Sequence, residues 1–191
     1  MRITGGEACG IQLDVPVKNV RPATDFMRER IFNQINNSVH VRTALDIFAG
    51  TGAYGLECLS RYRSTITFLE QNANTLSFLK NNCQKVSKSM SCEMKDFVKI
   101  FPADAFRFDF GLIKDVDLIF FDPPYSYWGN QKQNLQNLLL DLADKFSQAY
   151  LALELPAEVN LEESLPWTPI KPIAKRKRSG SPTIGLYHVH S

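Results

Sequence analysis

Two short motifs in this sequence combine residue types that could do chemistry. The first, Asp122-Pro123-Pro124-Tyr125, follows an apolar run at 116–121 and sets an acid and an aromatic ring on either side of two prolines. Two prolines at a strand end remove two amide donors and fix φ, so the loop is rigid and its carbonyl oxygens point one way. Taken alone, this Asp-Pro-Pro-Tyr motif could also be no more than a strand terminator.

The second motif is the glycine loop, Gly50-Thr51-Gly52-Ala53-Tyr54-Gly55, which lies between an apolar run at 44–49 and a helical pattern. A strand, a glycine turn and a helix start form a nucleotide-type cradle: Gly50 and Gly52 let a ligand approach the backbone, and Gly55 lets helix and strand pack closely. The next predicted strand, 66–69, ends in Glu70, about 20 residues past the glycines, where an acid usually holds ribose hydroxyls. The glycines alone could simply turn the chain, but the two motifs in this order, on consecutive crossovers, favour a cofactor site.

The elements that must position these motifs alternate between strand and helix patterns. We therefore expect a doubly wound α/β sheet, mostly parallel, with an antiparallel carboxyl-terminal strand and an amino-terminal β-hairpin and helix. This single compact unit divides into an extension at 1–38, with the hairpin at 2–15 and the helix at 25–36, and a larger part at 39–191. Further helices are predicted at 72–86 and 135–146, further strands at 97–101, 150–154 and 185–187, and a loop at 126–130.

Helical periodicity also predicts how the amino-terminal helix faces the core. It places Phe26, Ile31, Phe32 and Ile35 inward, and it places Arg28 and Glu29 nearer the polar side.

Composition narrows the class of protein. The 191 residues are 44% hydrophobic, enough for a real core, and the net charge of +2 gives no overall field that would mark a nucleic-acid partner. No apolar run could span a membrane and the amino end lacks the apolar core of a signal peptide, so we expect a cytoplasmic protein. The four cysteines and three histidines show no metal-ligand spacing, so we expect no metal and reduced thiols.

Taken along the whole chain, the motifs resemble a known family. The runs Arg21-Pro22-Ala23-Thr24-Asp25 and Leu56-Glu57-Cys58-Leu59-Ser60-Arg61, together with the glycine loop and the Asp-Pro-Pro-Tyr motif, occur in the order seen in the RsmD family of bacterial 16S ribosomal RNA guanine-N2 methyltransferases. These enzymes have the Rossmann-like class I methyltransferase sheet. The resemblance implies S-adenosyl-L-methionine as cofactor, small-subunit ribosomal RNA or the assembling small subunit as partner, and a monomer.

The resemblance also implies catalytic roles for the Asp-Pro-Pro-Tyr motif. A guanine amino nitrogen is a poor nucleophile because its lone pair is delocalised into the ring. Asp122 and the Pro123 carbonyl would accept its two hydrogens and direct the lone pair at the methyl group, while Tyr125 would stack on the base. The aromatic residues Tyr127 and Trp128 would either border the target base or only pack within their loop.

For the cofactor, the resemblance points to the ends of the first three strands. Asp104 would meet the adenine amino group, although it could also be a helix N-cap. Asp46 would either stay a structural acid near the loop or lie close to the methionine ammonium. The residues expected at the cofactor are Asp46, Phe48, Gly50, Thr51, Gly52, Gly55, Glu70, Gln71, Asp104 and Ala105.

Phosphate contacts are expected from basic residues near the two ends of the chain: Arg2, Arg21, Arg28, Lys175, Arg176, Lys177 and Arg178. The basic run at 175–178 could also be a solvated turn. Two departures from the family remove positive charge from the amino-terminal end: Cys9 and Ile11 flank the hairpin glycine where basic residues are usual, and Phe26 stands where arginine is common. We therefore expect the basic run to carry more of the contact.

Two other functions stay open at this point. The acceptor could be another amino group, on adenine or cytosine in DNA or on a protein glutamine. An acid rather than asparagine at position 122, and a short chain with no target-recognition domain, argue against it. The protein could instead be a non-catalytic assembly factor, against which the intact Asp-Pro-Pro-Tyr motif argues.

Overall fold

The computed structural model describes residues 1–16, 25–161, 164–171 and 182–189. These residues form one seven-stranded sheet with the strands β1 Thr43–Asp46, β2 Thr65–Leu69, β3 Val98–Phe101, β4 Leu118–Phe121, β5 Tyr150–Leu155, β6 Trp167–Pro169 and β7 Thr183–Val189. Their spatial order is β3-β2-β1-β4-β5-β7-β6, in which β1 to β5 run parallel to one another and β7 runs antiparallel to β5 and β6. The predicted doubly wound, mostly parallel sheet is confirmed. The sequence patterns missed β6, because three residues are too few to show alternation.

The helices surround this sheet. They are α1 Asp25–Asn36, α2 Ala53–Tyr62, α3 Ala73–Ser89, α4 Met94–Phe97, α5 Tyr125–Asn130 and α6 Lys132–Lys145, with one 3-10 turn at Phe110–Leu112. No helix within the described ranges is long and apolar enough to cross a membrane.

Helix α5 corrects the loop predicted at 126–130. The N–H of Tyr127 donates to the carbonyl of Pro124 at 2.8 Å, and the N–H of Gln131 donates to the carbonyl of Tyr127 at 2.8 Å. Proline suits a helix start, because the N–H that it lacks would have no partner within the helix there. The two prolines therefore end a strand and begin a helix at the same point.

The core lies on both faces of the sheet, and neighbouring residues of β4 divide between them. Phe120 faces α1 and α2, where its ring lies 5.7 Å from that of Phe32. Phe121 faces the opposite side, where its ring lies 5.3 Å from that of Phe48. Both faces of a parallel strand are buried in this way when helices cover the sheet on each side.

The predicted hairpin is present in reduced form. Its two arms meet at a single antiparallel bridge between Arg2 and Gln12, with the N–H of Leu13 donating to the carbonyl of Met1 at 2.9 Å. The intervening turns dock on the end of α2, where the carbonyl of Ser60 accepts from the N–H of Glu7 at 2.9 Å. Apolar side chains from this segment and from α1 belong to the same core cluster as α2 and β4. The division at 38/39 stays a prediction.

Helix α1 is rotated relative to the predicted orientation. Its buried residues are Met27, Arg28, Ile31, Phe32 and Ile35. Phe26, predicted to face the core, is 70% exposed, and Arg28, predicted nearer the polar side, is fully buried. Arg28 can lie in the buried stripe because its Nη2 contacts Asp25 Oδ1 at 2.7 Å and donates to the carbonyl of Arg2 at 2.6 Å. Buried charge is tolerated when it is paired and hydrogen-bonded in this way.

Gly55 sits where α2 crosses the sheet, and it offers a test of the packing. An ideal Cβ at this position would lie 2.3 Å from Cε1 of Phe68 and 2.9 Å from Cγ2 of Ile66. We expect Gly55→Ala to lower the free energy of unfolding by about 1–3 kcal/mol, since overpacking forces the neighbours to shift. Urea unfolding measures this. Gly129→Ala is the control, because a Cβ there meets no atom within 4 Å; equal unfolding midpoints for the two variants would contradict the prediction.

Candidate active site

The parallel register of β2, β1 and β4 brings the two motifs to one edge of the sheet. Asp46, at the end of β1, pairs with Phe68 of β2 on one side and with Phe120 of β4 on the other. Glu70 and Asp122 come directly after β2 and β4, and the glycine loop follows β1 after Ile47-Phe48-Ala49. In open α/β sheets, ligands bind in the crevice outside the carboxyl ends of the strands. This edge is therefore the candidate active site.

Two glycines of the loop adopt backbone conformations that other residues rarely accept. Gly50 has a φ of 55° and Gly52 a φ of 87°, both left-handed. At Gly52 an added Cβ would also lie 2.6 Å from Cδ1 of Leu79, whereas at Gly50 it would meet no atom within 4 Å. The loop is thus tightly packed at Gly52 and open at Gly50, as a surface that receives a ligand must be.

Glu70 braces this loop from the end of β2. Its Oε2 accepts from the N–H of Gly50 at 2.8 Å, and its Oε1 accepts from the N–H of Asn72 at 2.7 Å. Partial burial raises the pKa of Glu70, and these backbone donors oppose the rise. An ionised carboxylate has about four acceptor positions, so each oxygen keeps capacity for another donor.

Asp46 braces the other end of the same loop. Its side chain is almost fully buried, and Oδ2 accepts from the N–H of Gly55 at 3.0 Å. Burial raises the pKa of Asp46 from 3.8 to about 7; the charge of Glu70 adds to the rise and the bond from Gly55 opposes it. This geometry favours the structural alternative for Asp46, and a direct cofactor contact stays a prediction.

An aromatic cluster lines the site beside Glu70. Phe48 and Phe106 lie 6.0 Å apart between ring centroids, and Tyr127 of α5 lies 6.1 Å and 5.7 Å from them. The hydroxyl of Tyr127 accepts from Nε2 of Gln71 at 3.0 Å. Tyr127 therefore contacts three residues around the predicted cofactor site. Trp128, its neighbour in α5, is buried in the core on that side of the sheet.

Asp104 lies in the loop after β3, next to the buried Ala105. Its Oδ1 accepts from the N–H of Phe106 at 3.0 Å, and its Oδ2 lies 3.9 Å from Nε of Arg107. No helix begins here in the described chain, so Asp104 closes a turn instead of capping a helix.

The Asp-Pro-Pro-Tyr motif is held by a residue that the sequence analysis missed. Tyr125 donates its hydroxyl to Oε1 of Glu154 at 2.6 Å, and Tyr54 of the glycine loop donates to Oε2 of the same carboxylate at 3.0 Å. Burial, followed by the charges of Asp122 and Glu154, raises the pKa of Tyr54. Glu154 closes the apolar run predicted at 150–154, much as Glu70 follows the apolar run at 66–69, and that position was the signal that could have found it.

Of the residues predicted to contact phosphate, the structure describes Arg2 and Arg28. Arg2 is exposed, with its Nε 3.6 Å from Oδ2 of Asp25. Arg28 is fully buried and ion-paired, so its prediction as a phosphate contact is wrong. Arg21 and the basic run at 175–178 lie outside the described residues.

Solved structures with this architecture define its class. "Putative methyltransferase yhhF" from Escherichia coli matches with a TM-score of 0.73 and 26% identity, covering 99% of this chain and 97% of that one. An RNA methyltransferase from Salinibacter ruber, in complex with S-adenosyl-L-homocysteine, matches with a TM-score of 0.65 and 12% identity, covering 88% of this chain and 94% of that one. The fold is that of the class I methyltransferases, as predicted.

The sequence narrows that class to one family. The family model described as "Conserved hypothetical protein 95" matches residues 1–188, and the chain belongs to this family. The "Ribosomal RNA small subunit methyltransferase D" of Escherichia coli K12 is 30% identical over 189 residues, which are 98% of this chain and 89% of that protein. The predicted resemblance to the RsmD family is confirmed.

The raised pKa of Asp46 predicts a pH-dependent effect on stability. The folded chain holds this proton up to about pH 7, whereas an ordinary aspartate releases it near 3.8. The contribution of Asp46 to the free energy of unfolding is therefore fully present below pH 3.8 and is lost as the pH rises through 7. In Asp46→Asn the amide oxygen can still accept from Gly55 without a charge. We expect this variant to gain about 2–4 kcal/mol relative to wild type between pH 4 and pH 8.

Urea unfolding across that pH range measures the gain. Asp115→Asn is the control, because Asp115 is exposed before β4, at the other end of the sheet. A difference between Asp46→Asn and wild type that stays constant with pH would contradict the assignment of this proton.

Proposed function

We propose that this chain transfers a methyl group from S-adenosyl-L-methionine to the exocyclic N2 of a guanine in small-subunit ribosomal RNA. One observation carries the proposal: the glycine loop on β1 and the Asp-Pro-Pro-Tyr motif on β4 adjoin at the same edge of the sheet. A cofactor cradle and a rigid set of acceptors for an amino group are thus next to each other. The Escherichia coli relative, a ribosomal RNA small subunit methyltransferase that matches over nearly the whole chain, supports ribosomal RNA as the substrate class.

The residues at the ends of β1, β2 and β3 fit S-adenosyl-L-methionine. The open surface at Gly50 leaves room for close approach of a ligand, and the spare acceptor capacity of Glu70 suits two ribose hydroxyls. Phe48, Phe106 and Tyr127 form an apolar wall for the adenine, and Asp104, which is bonded to the N–H of Phe106, would accept from its amino group. When bound, the cofactor supplies a methyl group that its sulfonium already activates.

The Asp-Pro-Pro-Tyr motif would then position the acceptor. Asp122 and the carbonyl of Pro123 accept the two amino hydrogens, which directs the nitrogen lone pair at the methyl group. Tyr125 stacks on the base, worth about 1–3 kcal/mol. Placement of the two reactants supplies much of the rate enhancement. A base inside a helix must be unpaired or flipped outward to reach this site.

Phosphate contacts of the RNA are proposed for Arg2, Arg21 and the basic run at 175–178. With Arg28 buried beneath the surface and Cys9 and Ile11 in place of basic residues, the amino-terminal segment offers little charge. The basic run is thus the stronger candidate for the contact. Each neutralised phosphate releases counterions, so transfer below substrate saturation falls steeply as salt rises.

The test of the function compares acceptors directly. Purified protein is given tritiated S-adenosyl-L-methionine with free small subunits, with naked small-subunit RNA and with DNA, and labelled nucleosides are identified after digestion. Label in N2-methylguanosine from either ribosomal substrate is the expected result. Label in adenine or cytosine, or in DNA, would replace the proposed acceptor; no transfer to any of them would favour a non-catalytic role.

The assignment of Glu70 to the ribose predicts a specific loss of cofactor affinity. We expect Glu70→Ala to weaken S-adenosyl-L-methionine binding about ten- to a hundred-fold, because hydrogen bonds to a charged group contribute about 1.5–3 kcal/mol. Isothermal titration calorimetry measures this. Glu93→Ala is the control, since Glu93 is exposed just before α4, away from the carboxyl ends of the strands. Equal affinities for both variants would remove Glu70 from the site.

The assignment of Asp122 to the acceptor nitrogen predicts a loss of methyl transfer without a loss of cofactor affinity. We expect Asp122→Ala to abolish methyl transfer while cofactor affinity stays close to that of wild type, because this carboxylate acts on the acceptor nitrogen. Single-turnover transfer and calorimetry on the same sample separate the two. Asp115→Ala, at the opposite end of β4, serves as the matched control. A near-native rate in Asp122→Ala would disprove the amino-methyltransferase mechanism.

A further inference from the structure

Glu154 is a buried acid at the point where three elements of the site meet. It lies on β5, directly beside β4, and is only 7% exposed. Its two carboxylate oxygens accept from two different tyrosines: Oε1 from Tyr125 at 2.6 Å and Oε2 from Tyr54 at 3.0 Å. One tyrosine belongs to the Asp-Pro-Pro-Tyr motif and the other to the glycine loop. The carboxylate of Glu154 therefore connects the Asp-Pro-Pro-Tyr motif to the glycine loop through hydrogen bonds.

The sheet explains why this acid points toward the site. Leu151, Leu153 and Leu155 of β5 pack on the opposite face of the sheet, so Glu154 shares its face with Ala152. Ala152 pairs with Phe120 of β4, which places Glu154 beside the end of β4 that leads into Asp122.

Tyr54 completes the setting of this carboxylate. Its ring stacks on Phe120 with 5.5 Å between centroids and an interplanar angle of 17°, and this stacking carries its hydroxyl past the strand to Glu154. The rigid strand and the stacked ring fix the carboxylate independently of Tyr125. Glu154 is thus fixed without the help of Tyr125, and Tyr125, the first residue of α5, is the partner that it holds.

We propose that Glu154 is a positioning residue that fixes the position of the Tyr125 ring for the target base. This inference rests on the proposed function, in which Tyr125 stacks on the guanine. The ring is restrained at one end by the start of α5 and at the other by its hydroxyl bond to Glu154. A ring held at both ends keeps its long axis in one direction, whereas a ring held only by its Cα can swing away when χ1 changes. The hydroxyl of Tyr125 therefore matters to transfer, which an argument from stacking alone would not require.

The experiment is a double-mutant cycle on methyl transfer to the ribosomal substrate. We expect Glu154→Ala and Tyr125→Phe each to lower kcat about ten-fold or more, and the double variant to be no slower than the slower single one, since both remove the same contact. Glu154→Gln should stay within a few-fold of wild type, because its amide can accept from one hydroxyl and donate to the other oxygen. Cofactor affinity should be unchanged throughout.

Tyr62→Phe is the matched control for the loss of a tyrosine hydroxyl. It removes the hydrogen bond to Oδ1 of Asn36 at the end of α2, away from the carboxyl ends of the strands, so it should keep the wild-type kcat. Multiplying effects in the double variant, or a kcat for Glu154→Ala equal to that of wild type, would overturn the inference. If Glu154→Ala does not fold, Glu154→Gln and Tyr125→Phe still test the inference, because a near-native kcat in Tyr125→Phe would overturn it. A wild-type protein that methylates none of the acceptors would instead refute the proposed function itself.

Discussion

The glycine loop is held at both of its ends by carboxylates, and the candidate active site depends on that arrangement. Glu70 accepts from the N–H of Gly50 where the loop begins, and Asp46 accepts from the N–H of Gly55 where α2 begins. Because Asp46 ends β1 and Glu70 follows β2, its parallel neighbour, the sheet itself sets the distance between the two acids. A loop with left-handed residues has little stability of its own, and these contacts give it one shape before any ligand arrives.

Another buried carboxylate connects the amino-terminal segment to α2, the helix that follows this loop. Glu57 of α2 accepts from the N–H and the hydroxyl of Thr4, both at 2.8 Å, and from Nε of Arg61 at 2.8 Å. Arg28 of α1 lies 3.7 Å from the same side chain, and its charge also acts on Tyr54, whose pKa it lowers against the larger effects of burial and nearby acids. The extension is therefore connected to the site through charge as well as through apolar packing.

The sequence allowed prediction of those features that depend on short stretches of chain. The strands that lead to Asp46, Glu70 and Asp122 are short apolar runs, and they lie within a few residues of where they were predicted. The predicted orientation of α1 was wrong because periodicity places an arginine on the polar face. It cannot show that Asp25 and Glu57 pair with Arg28 and allow its burial. The position of Glu154 after an apolar run could have marked it as a candidate, but its role could not be predicted, because its partners stand 29 and 100 positions away along the chain.

The strand order also has a consequence for how the chain folds. On one side β1 pairs with β2, the next strand in sequence. On its other side β1 pairs with β4, which comes in the sequence only after β2 and β3. Pairing between distant segments is slow because the intervening chain must first be closed into a loop. Until β4 arrives, the inner edge of β1 presents unpaired backbone groups of the kind that promote association with other chains. The pairing of β1 with β4, which forms last on this strand, is also the one that brings the cofactor and target halves of the site together. A chain that stalls before this pairing therefore has the glycine loop without the Asp-Pro-Pro-Tyr motif beside it.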